Sequence, residues 1–289
     1  MAKPIILLQL DADPQPSAFD AIVAADCGVD HLLRHHSVTP DTARDLVHGA
    51  MFTRGPEDLR HTAIFIGGSD VAAGESLLAA VRECYFGPVR VSVMLDANGA
   101  NTTAAAAVLS AARHVELDGA TVLLLAATGP VGLRAARLLA RQGARVRLAS
   151  RNAHRAEAAC DAVRRQIEGA RLSAHQTATE DETAAALDGA GIVIAAGAAG
   201  VQLLTVQTRE QCASLQVAID LNAVPPAGLA GVEATDKAAA RGGAVCYGAI
   251  GVGGLKMKIH KAALARLFET NDQVLDAEEI YAIGQALSK

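Results

Sequence analysis

Tryptophan is absent from this sequence of 289 residues, and Tyr and Phe number only three and five. An aromatic share of 3% leaves too few rings for an aromatic-rich β-sandwich or for a platform that stacks nucleic-acid bases. Positive charge is also short. Lys and Arg total 26 against 31 Asp and Glu, a formal net charge of −5. No basic stripe or Lys/Arg block interrupts the chain, so nucleic acid is not expected as a partner and small molecules are. Cysteines are few, odd in number and scattered: Cys27, Cys84, Cys160, Cys212 and Cys246. No CxxC pair or Cys/His cluster has metal-ligand spacing. That pattern points to reduced, buried thiols in a cytoplasmic protein without a metal site. Long apolar runs are missing too. Ile5–Leu10 is too short for a signal-peptide core. The longest uncharged stretch, Gly189–Thr208, is broken by Gly191, Gly197, Gly200, Gln202, Thr205 and Gln207, so no membrane span is expected.

What is abundant is small and aliphatic. Hydrophobic residues make up 51% of the chain, charged residues 20%, and there are 26 glycines, which excludes disorder and suits close packing of helices on sheets. The length accommodates two domains of about 100–200 residues. Short apolar runs read as strands: Ile5–Leu10, Ala63–Ile66, Val89–Leu95, Thr121–Ala126, Arg145–Ala149, Ile192–Ala195, Val217–Asp220 and Ala244–Tyr247. Ala-rich helical runs lie between them: Phe19–Asp26, Asp41–Phe52, Val71–Tyr85, Thr102–Val115, Pro130–Gln142, Ala153–Glu168, Glu180–Leu187, Leu255–Phe268 and Ala277–Leu287. Continuous apolar strands alternating with helices predict an α/β protein with parallel sheets covered on both faces. The turn Leu117-Asp118-Gly119 opens a second sheet. The reading is a first domain over 1–105, a nucleotide-binding domain over 106–255, and C-terminal helices 256–289 that rejoin the first domain.

The most informative segment runs from Leu123 to Gly132. An apolar strand enters a glycine turn and an amphipathic helix follows, the context of a Rossmann-type Gly-x-Gly-x-x-Gly fingerprint. Here Ala127 stands at its first position, and Gly129 and Gly132 at the second and third. Gly129 would let the backbone of Thr128 to Val131 approach a pyrophosphate. Pro130 fits the first helical turn, where free N–H groups bind phosphate, and Gly132 would bring the helix close to the strand. The next strand ends in Ser150 and Arg151, with Arg155 one turn later. An NAD site carries Asp or Glu there to hold the ribose 2′-hydroxyl. A hydroxyl and two guanidiniums match a 2′-phosphate instead, so NADP is the expected cofactor. Ala196, Gly197 and Asn222 follow two further strands and are expected to line the same crevice.

Longer motifs go beyond this fingerprint. They are Pro16-Ser17-Ala18-Phe19-Asp20, Phe65-Ile66-Gly67-Gly68, Asp96 to Ala105, Thr128 to Gly132, Asp220-Leu221-Asn222-Ala223, Gly248 to Lys256 and Asp276 to Tyr281. Through them the chain, from about Leu8 to Tyr281, resembles the bacterial NADP-dependent methylene-tetrahydromethanopterin and methylene-tetrahydrofolate dehydrogenases. Ala127 departs from the pattern, since relatives carry the first glycine there.

The resemblance implies two α/β domains around a cleft and a homo-oligomer, a trimer. It implies reversible oxidation of methylene-tetrahydromethanopterin, and in some members methylene-tetrahydrofolate, to the methenyl form with NADP, in one-carbon metabolism of methylotrophs. The first domain then becomes the pterin domain. Ser17, Phe19 and Asp20 sit at a helix start, Phe19 to stack on a ring and Asp20 to accept from pterin nitrogens. Asn98 and Thr102 lie at a strand's carboxyl edge. All but Phe19 have helix capping as the alternative role. Lys256 follows the glycine-rich turn Gly248–Gly254 and would act by orientation and electrostatics, with His260 on the same helical face. The product cation is stabilised by two flanking nitrogens, so no general base is required. Two alternatives are an NADPH-sensing regulatory protein and a folate-specific dehydrogenase.

Overall fold

Alternating strands and helices build two separate parallel sheets, and the computed structural model describes residues 3–287. Residues up to Thr102, with those from Met257 onward, form one unit, and Thr103–Lys256 form the other.

The first unit contains β1 (Ile6–Leu10), α1 (Ala18–Asp26), β2 (His31–His35), α2 (Pro40–Met51), β3 (Thr62–Ile66), α3 (Val71–Glu83), β4 (Ser92–Leu95) and the start of α4 (Ala100–Ala112). The second contains β5 (Thr121–Leu125), α5 (Pro130–Arg141), β6 (Arg145–Ser150), α6 (Ala153–Arg164), β7 (Arg171–Gln176), α7 (Glu180–Leu187), β8 (Ile192–Ala195), α8 (Val206–Gln211), β9 (Val217–Asp220), β10 (Lys237–Arg241) and β11 (Ala244–Tyr247). Helix α9 (Ala249–Arg266) begins in the second unit and ends in the first, where β12 (Val274–Leu275) and α10 (Ala277–Ala286) follow.

The first sheet has the order β12-β4-β3-β1-β2, all parallel. Every residue of β3 is buried, as a central strand with helices on both faces demands. Its register places Ile64 beside Leu8 and Val93. Sequence-local caps start the helices. Thr39 and Thr42 form a reciprocal capping box that spans Pro40, and the Asp70 carboxylate accepts from Ala72 and Ala73 N–H, satisfying donors that a helix start leaves open.

The second sheet has the order β10-β11-β9-β8-β5-β6-β7. Six strands are parallel, and β10 pairs antiparallel at one edge. Apart from β10, this is the doubly wound order in which the chain reverses direction across the sheet between β5 and β8. Leu123, Leu124, Val193, Ile194, Val217 and Ile219 are fully buried there. The α/β expectation is met.

The glycine-rich segment and the edge strands differ from the sequence reading. Gly248–Gly254 is not a turn, because α9 is continuous from Ala249. Two of its glycines, Gly248 and Gly251, serve close approach. Gly248 and Ile250 N–H donate to the carbonyls of Asp236 and Ala234, and a Cβ on Gly248 or Gly251 would overlap that backbone. The strands β2, β7, β10 and β12 are absent from the predicted set, and they are the four edge strands.

Arg241 grips Asp236 through two bonds of 2.5 and 2.7 Å. This guanidinium holds the Asp236 carboxyl below its usual range. A depressed folded value means the contribution is present above the ordinary carboxylate pKa and is lost as pH falls through the folded one. Asp236→Asn is therefore expected to lower Tm at neutral pH by roughly 2–4 °C, for about 1 kcal/mol. In a pH series of melting curves the gap to the parent should close below the carboxylate range. A gap that stays constant into acid would contradict the assignment.

Candidate active site

Ligands in open α/β sheets bind beyond the carboxyl ends of the strands, where the chain reverses its direction across the sheet. The first unit has that point between β1 and β3. The loop after β1 is organised by Asp11, which is fully buried and accepts from Asp13 N–H at 2.9 Å and Ser17 N–H at 3.2 Å. Ser17 in turn caps α1 by accepting from Asp20 N–H at 3.3 Å. Phe19 is half exposed, which leaves ring area for stacking. A Cβ on Gly67, just past β3, would stand 3.2 Å from Asp20 Oδ2, so the Asp20 carboxylate reaches the end of β3. Asn98, past β4, has left-handed backbone (φ 53°), a conformation Asn tolerates better than most residues. Its N–H donates to Gly68 O at 2.6 Å. The expected Ser17, Phe19, Asp20 and Asn98 thus gather along one sheet edge.

Thr102 and His260 differ from the expectation of direct ligand contact, because both are buried. Thr102 Oγ–H donates to Asp96 Oδ2 at 2.7 Å, and Asn101 and Thr102 N–H donate to Asp96 Oδ1 at 3.0 Å. Asp96 therefore absorbs the open donors at the start of α4. His260 Nδ1 lies 3.2 Å from Asp96 Oδ2, off the line of a hydrogen bond, and neither ring nitrogen has a hydrogen-bond partner. The ring packs between Phe65 and the edge of Phe19, at centroid distances of 5.6 and 6.3 Å. Thr102 and His260 support this edge from beneath. Lys256 is half buried on α9, one turn before His260.

In the second unit the reversal lies between β5 and β8. Gly129 caps α5 with no side-chain hydrogen bond and Pro130 occupies the first helical position, so the N–H groups at this helix start have no side-chain cap. A Cβ on Gly129 would meet only Ala196 O at 4.0 Å, whereas one on Gly132 would lie 2.7 Å from Ala127 Cα and O. Gly129 leaves open space for a ligand, and Gly132 closes helix against turn. Thr128 to Gly132 thus form the cap and first turn expected of them. The left-handed residue of the turn is Ala126 (φ 52°), not Ala127, so the methyl at the first fingerprint position sits on unstrained backbone.

A pocket of about 340 Å³ opens beside this turn. It brings together Thr128, Ser150, Arg151, Arg155 and Gly197, all expected, and no carboxylate lines it. Asn152 caps α6 by accepting from Arg155 N–H at 3.1 Å. Thr177, Val201 and Leu203 complete the wall and continue with Arg151 into an adjoining pocket of about 280 Å³. Thr177 follows a polar edge strand, and Val201 and Leu203 lie in a loop, so none was marked by an apolar strand run. Ala196, half buried, is anchored by its N–H to Leu125 O at 3.1 Å. Asn222 is turned inward. Its amide donates to Pro226 O at 3.0 Å and its Oδ1 accepts from Val224 N–H at 2.9 Å, which leaves main chain rather than side chain to meet a ligand. This loop contains a cis Pro225–Pro226 bond and hangs from Asp220, whose carboxylate accepts from Asn222 and Leu229 N–H. Burial pushes the Asp220 carboxyl up, against the pull of these donors. The donor set, the open cradle at Gly129 and the cationic, carboxylate-free pocket together fit a dinucleotide with a 2′-phosphate.

No helix among the described residues is long and apolar enough to cross a membrane. Residues 18–98 match the family described as methylene-tetrahydromethanopterin dehydrogenase, N-terminal. The chain is 44% identical over 285 residues to the bifunctional protein MdtA of Methylorubrum extorquens, covering 98% of this chain and 99% of that protein. It is 29% identical to the NAD(P)-dependent methylenetetrahydromethanopterin dehydrogenase of the same organism, covering 93% of each. The ligand-free 5-ketofructose reductase of Gluconobacter sp. strain CHM43 shares the fold, with a TM-score of 0.52 and 16% identity over 99% of both chains. Near-complete coverage at 44% identity, on a nucleotide crevice and a loop-built sheet edge of this form, shows that the chain belongs to the methylene-tetrahydromethanopterin dehydrogenase family.

Proposed function

We propose that this chain oxidises methylene-tetrahydromethanopterin to the methenyl form with NADP. The observation that carries the cofactor choice is the carboxylate-free pocket in which Ser150, Arg151 and Arg155 stand beside the side-chain-uncapped start of α5. NADP, when bound, accepts the hydride at its nicotinamide ring. The protein's own residues position and enclose. The α5 N–H groups hold the pyrophosphate, and the two guanidiniums hold the 2′-phosphate. Phe19 offers a face for ring stacking, and Asp20 and Asn98 offer acceptors and donors at the same sheet edge. Lys256 supplies a cation that orients the substrate, and Asp96 with His260 and Thr102 fixes the support beneath. Two nitrogens flank the carbon that is oxidised and stabilise the product cation, so orientation and exclusion of water suffice and no general base is assigned. The first unit is read as the pterin unit and the second as the NADP unit. The proposed assembly is a homotrimer, measurable by sedimentation.

The test is absorbance of NADPH and of the methenyl product with NADP and either methylene-tetrahydromethanopterin or methylene-tetrahydrofolate. Turnover is expected with the methanopterin form. NADPH binding without turnover on either substrate would instead identify a sensor. Arg151→Ala is expected to weaken NADP by roughly tenfold or more, the value of a charge-assisted phosphate contact, and to leave NAD affinity nearly unchanged. Equal losses for both dinucleotides would remove Arg151 from 2′-phosphate recognition.

A further inference from the structure

Strand β1 lies between β3 and β2 and reads Ile-Leu-Leu-Gln-Leu. Its fourth residue, Gln9, is 1% exposed, and the flanking Leu8 and Leu10 are buried as well. Leucine would fill this position without a polar cost, whereas an amide taken out of water costs free energy unless its bonds are made. The bonds of Gln9 are specific. Its Nε2 donates to Ser17 O at 3.3 Å, and its Oε1 accepts from Arg34 Nε at 3.2 Å. Arg34 Nη2 donates in turn to Pro16 O. The register explains the grouping. Gln9 stands beside Arg34 across β1–β2 and beside Phe65 across β1–β3, so the three side chains form a row on one sheet face.

This row lies beneath the start of α1. Gln9 and Arg34 hold Pro16 and Ser17, the two residues before the helix. Phe65 packs on His260, whose ring meets the edge of Phe19. Helix α1 does not need the Gln9 and Arg34 bonds in order to form. The Ser17 hydroxyl already caps it, and Ser17 O already accepts from Ala21 N–H at 3.3 Å, the first bond of the helix. What the two side chains add is lateral: they fix where on the sheet the helix starts. Asp11 holds the Ser17 N–H, and Gln9 holds its carbonyl. Both acceptors of Arg34 are neutral oxygens, so its guanidinium serves as a two-pronged donor between strand and loop. Phe19 and Asp20 lie in the first turn of α1, and their place at the sheet edge follows from this anchor.

We propose that Gln9 and Arg34 are positioning residues for the oxidation: together they hold the first turn of α1 where Phe19 and Asp20 meet the pterin. The assignment rests on the reading of this edge as the pterin site.

Steady-state kinetics of Gln9→Leu and Arg34→Met are the test, with methylene-tetrahydromethanopterin and NADP varied in turn. Each variant is expected to lose roughly tenfold in kcat/KM for the pterin, with a raised pterin KM, because a small displacement of binding groups is amplified in the reacting geometry. KM for NADP should be unchanged. Tm of Gln9→Leu should stay within about 2 °C of the parent, since Ser17 O keeps its helical bond and the exposed Arg34 finds water. A merely structural role predicts the reverse, a lowered Tm and fewer active molecules with both KM values intact. The double variant is expected to lose less than the product of the two single losses, as groups in one network do. Arg34→Lys keeps the charge but not the fork, and should recover little of the loss. An unchanged pterin KM in both variants, losses that multiply in the double, or full activity in Arg34→Lys would overturn the proposal. A parent without turnover would overturn the pterin reading itself, and this assignment with it.

Discussion

Gly132→Ala is expected to cost the protein about 2–3 kcal/mol, the strain of forcing a methyl into packed structure, because the new Cβ would sit 2.7 Å from the Ala127 backbone. Backbone cannot yield by a side-chain rotation, so α5 must lift from the turn. Its first N–H groups then leave the phosphate position. NADPH affinity, read by fluorescence titration, should fall by roughly thirty- to 150-fold, together with Tm. Gly129→Ala separates the two effects. Its Cβ would meet only a carbonyl 4.0 Å away, so melting should be unchanged while the methyl occupies space meant for pyrophosphate. If Gly129→Ala binds NADPH as tightly as the parent, the turn is not the phosphate cradle.

The second large effect concerns α9. Gly251→Ala would drive a Cβ into the Asp236 carbonyl, and the first turns of α9 would lose the bonds that Ile250 and Gly251 N–H donate to Ala234 O. The expected destabilisation is about 3 kcal/mol or more, a fall in Tm of roughly 6–12 °C at this chain length. Gly253→Ala, two residues on in the same helix, should do the opposite. Nothing lies within 4 Å of its Cβ position, so replacing a helical glycine should stabilise by about 0.5–1 kcal/mol. Denaturant melts of the pair decide the matter. Similar gains in both would show that helix propensity, not the approach to Asp236, governs this segment.

These glycines also mark where sequence patterning succeeds and where it stops. The run Leu123–Leu125 and the turn after it were legible because a central parallel strand is apolar on both faces and because a phosphate turn restricts its residues. The strands His31–His35, Arg171–Gln176, Lys237–Arg241 and Val274–Leu275 were not legible. The first three lie at sheet edges with one side in water, so no continuous apolar run announces them. The fourth is two residues long. The Gly248–Gly254 cluster reads as a turn because glycine count alone does not distinguish conformational freedom from close approach. Ser17, Asp20 and Asn98 were found through motifs. Asp11, missing from the expected set, has a weaker signal of its own, a charge set directly after an apolar strand in Leu10-Asp11. Asp96, seen only as the head of a motif, follows Leu95 in the same way. For Thr102 and His260 the sequence gives residue type without depth, so it does not separate ligand contact from buried support.

The first unit is discontinuous in the chain. Its sheet takes β12 only after the whole of the second unit has been made. Emerging from a ribosome, the first hundred residues lack one edge strand, α10 and the His260 support under Asp96. The second unit depends on no later segment beyond the start of α9. The second unit is therefore the first able to complete its own contacts, and the first unit waits for the segment from Met257 onward. A chaperone meeting the nascent chain would find its unfinished surface on the first unit, where β4 waits for β12, not on the second.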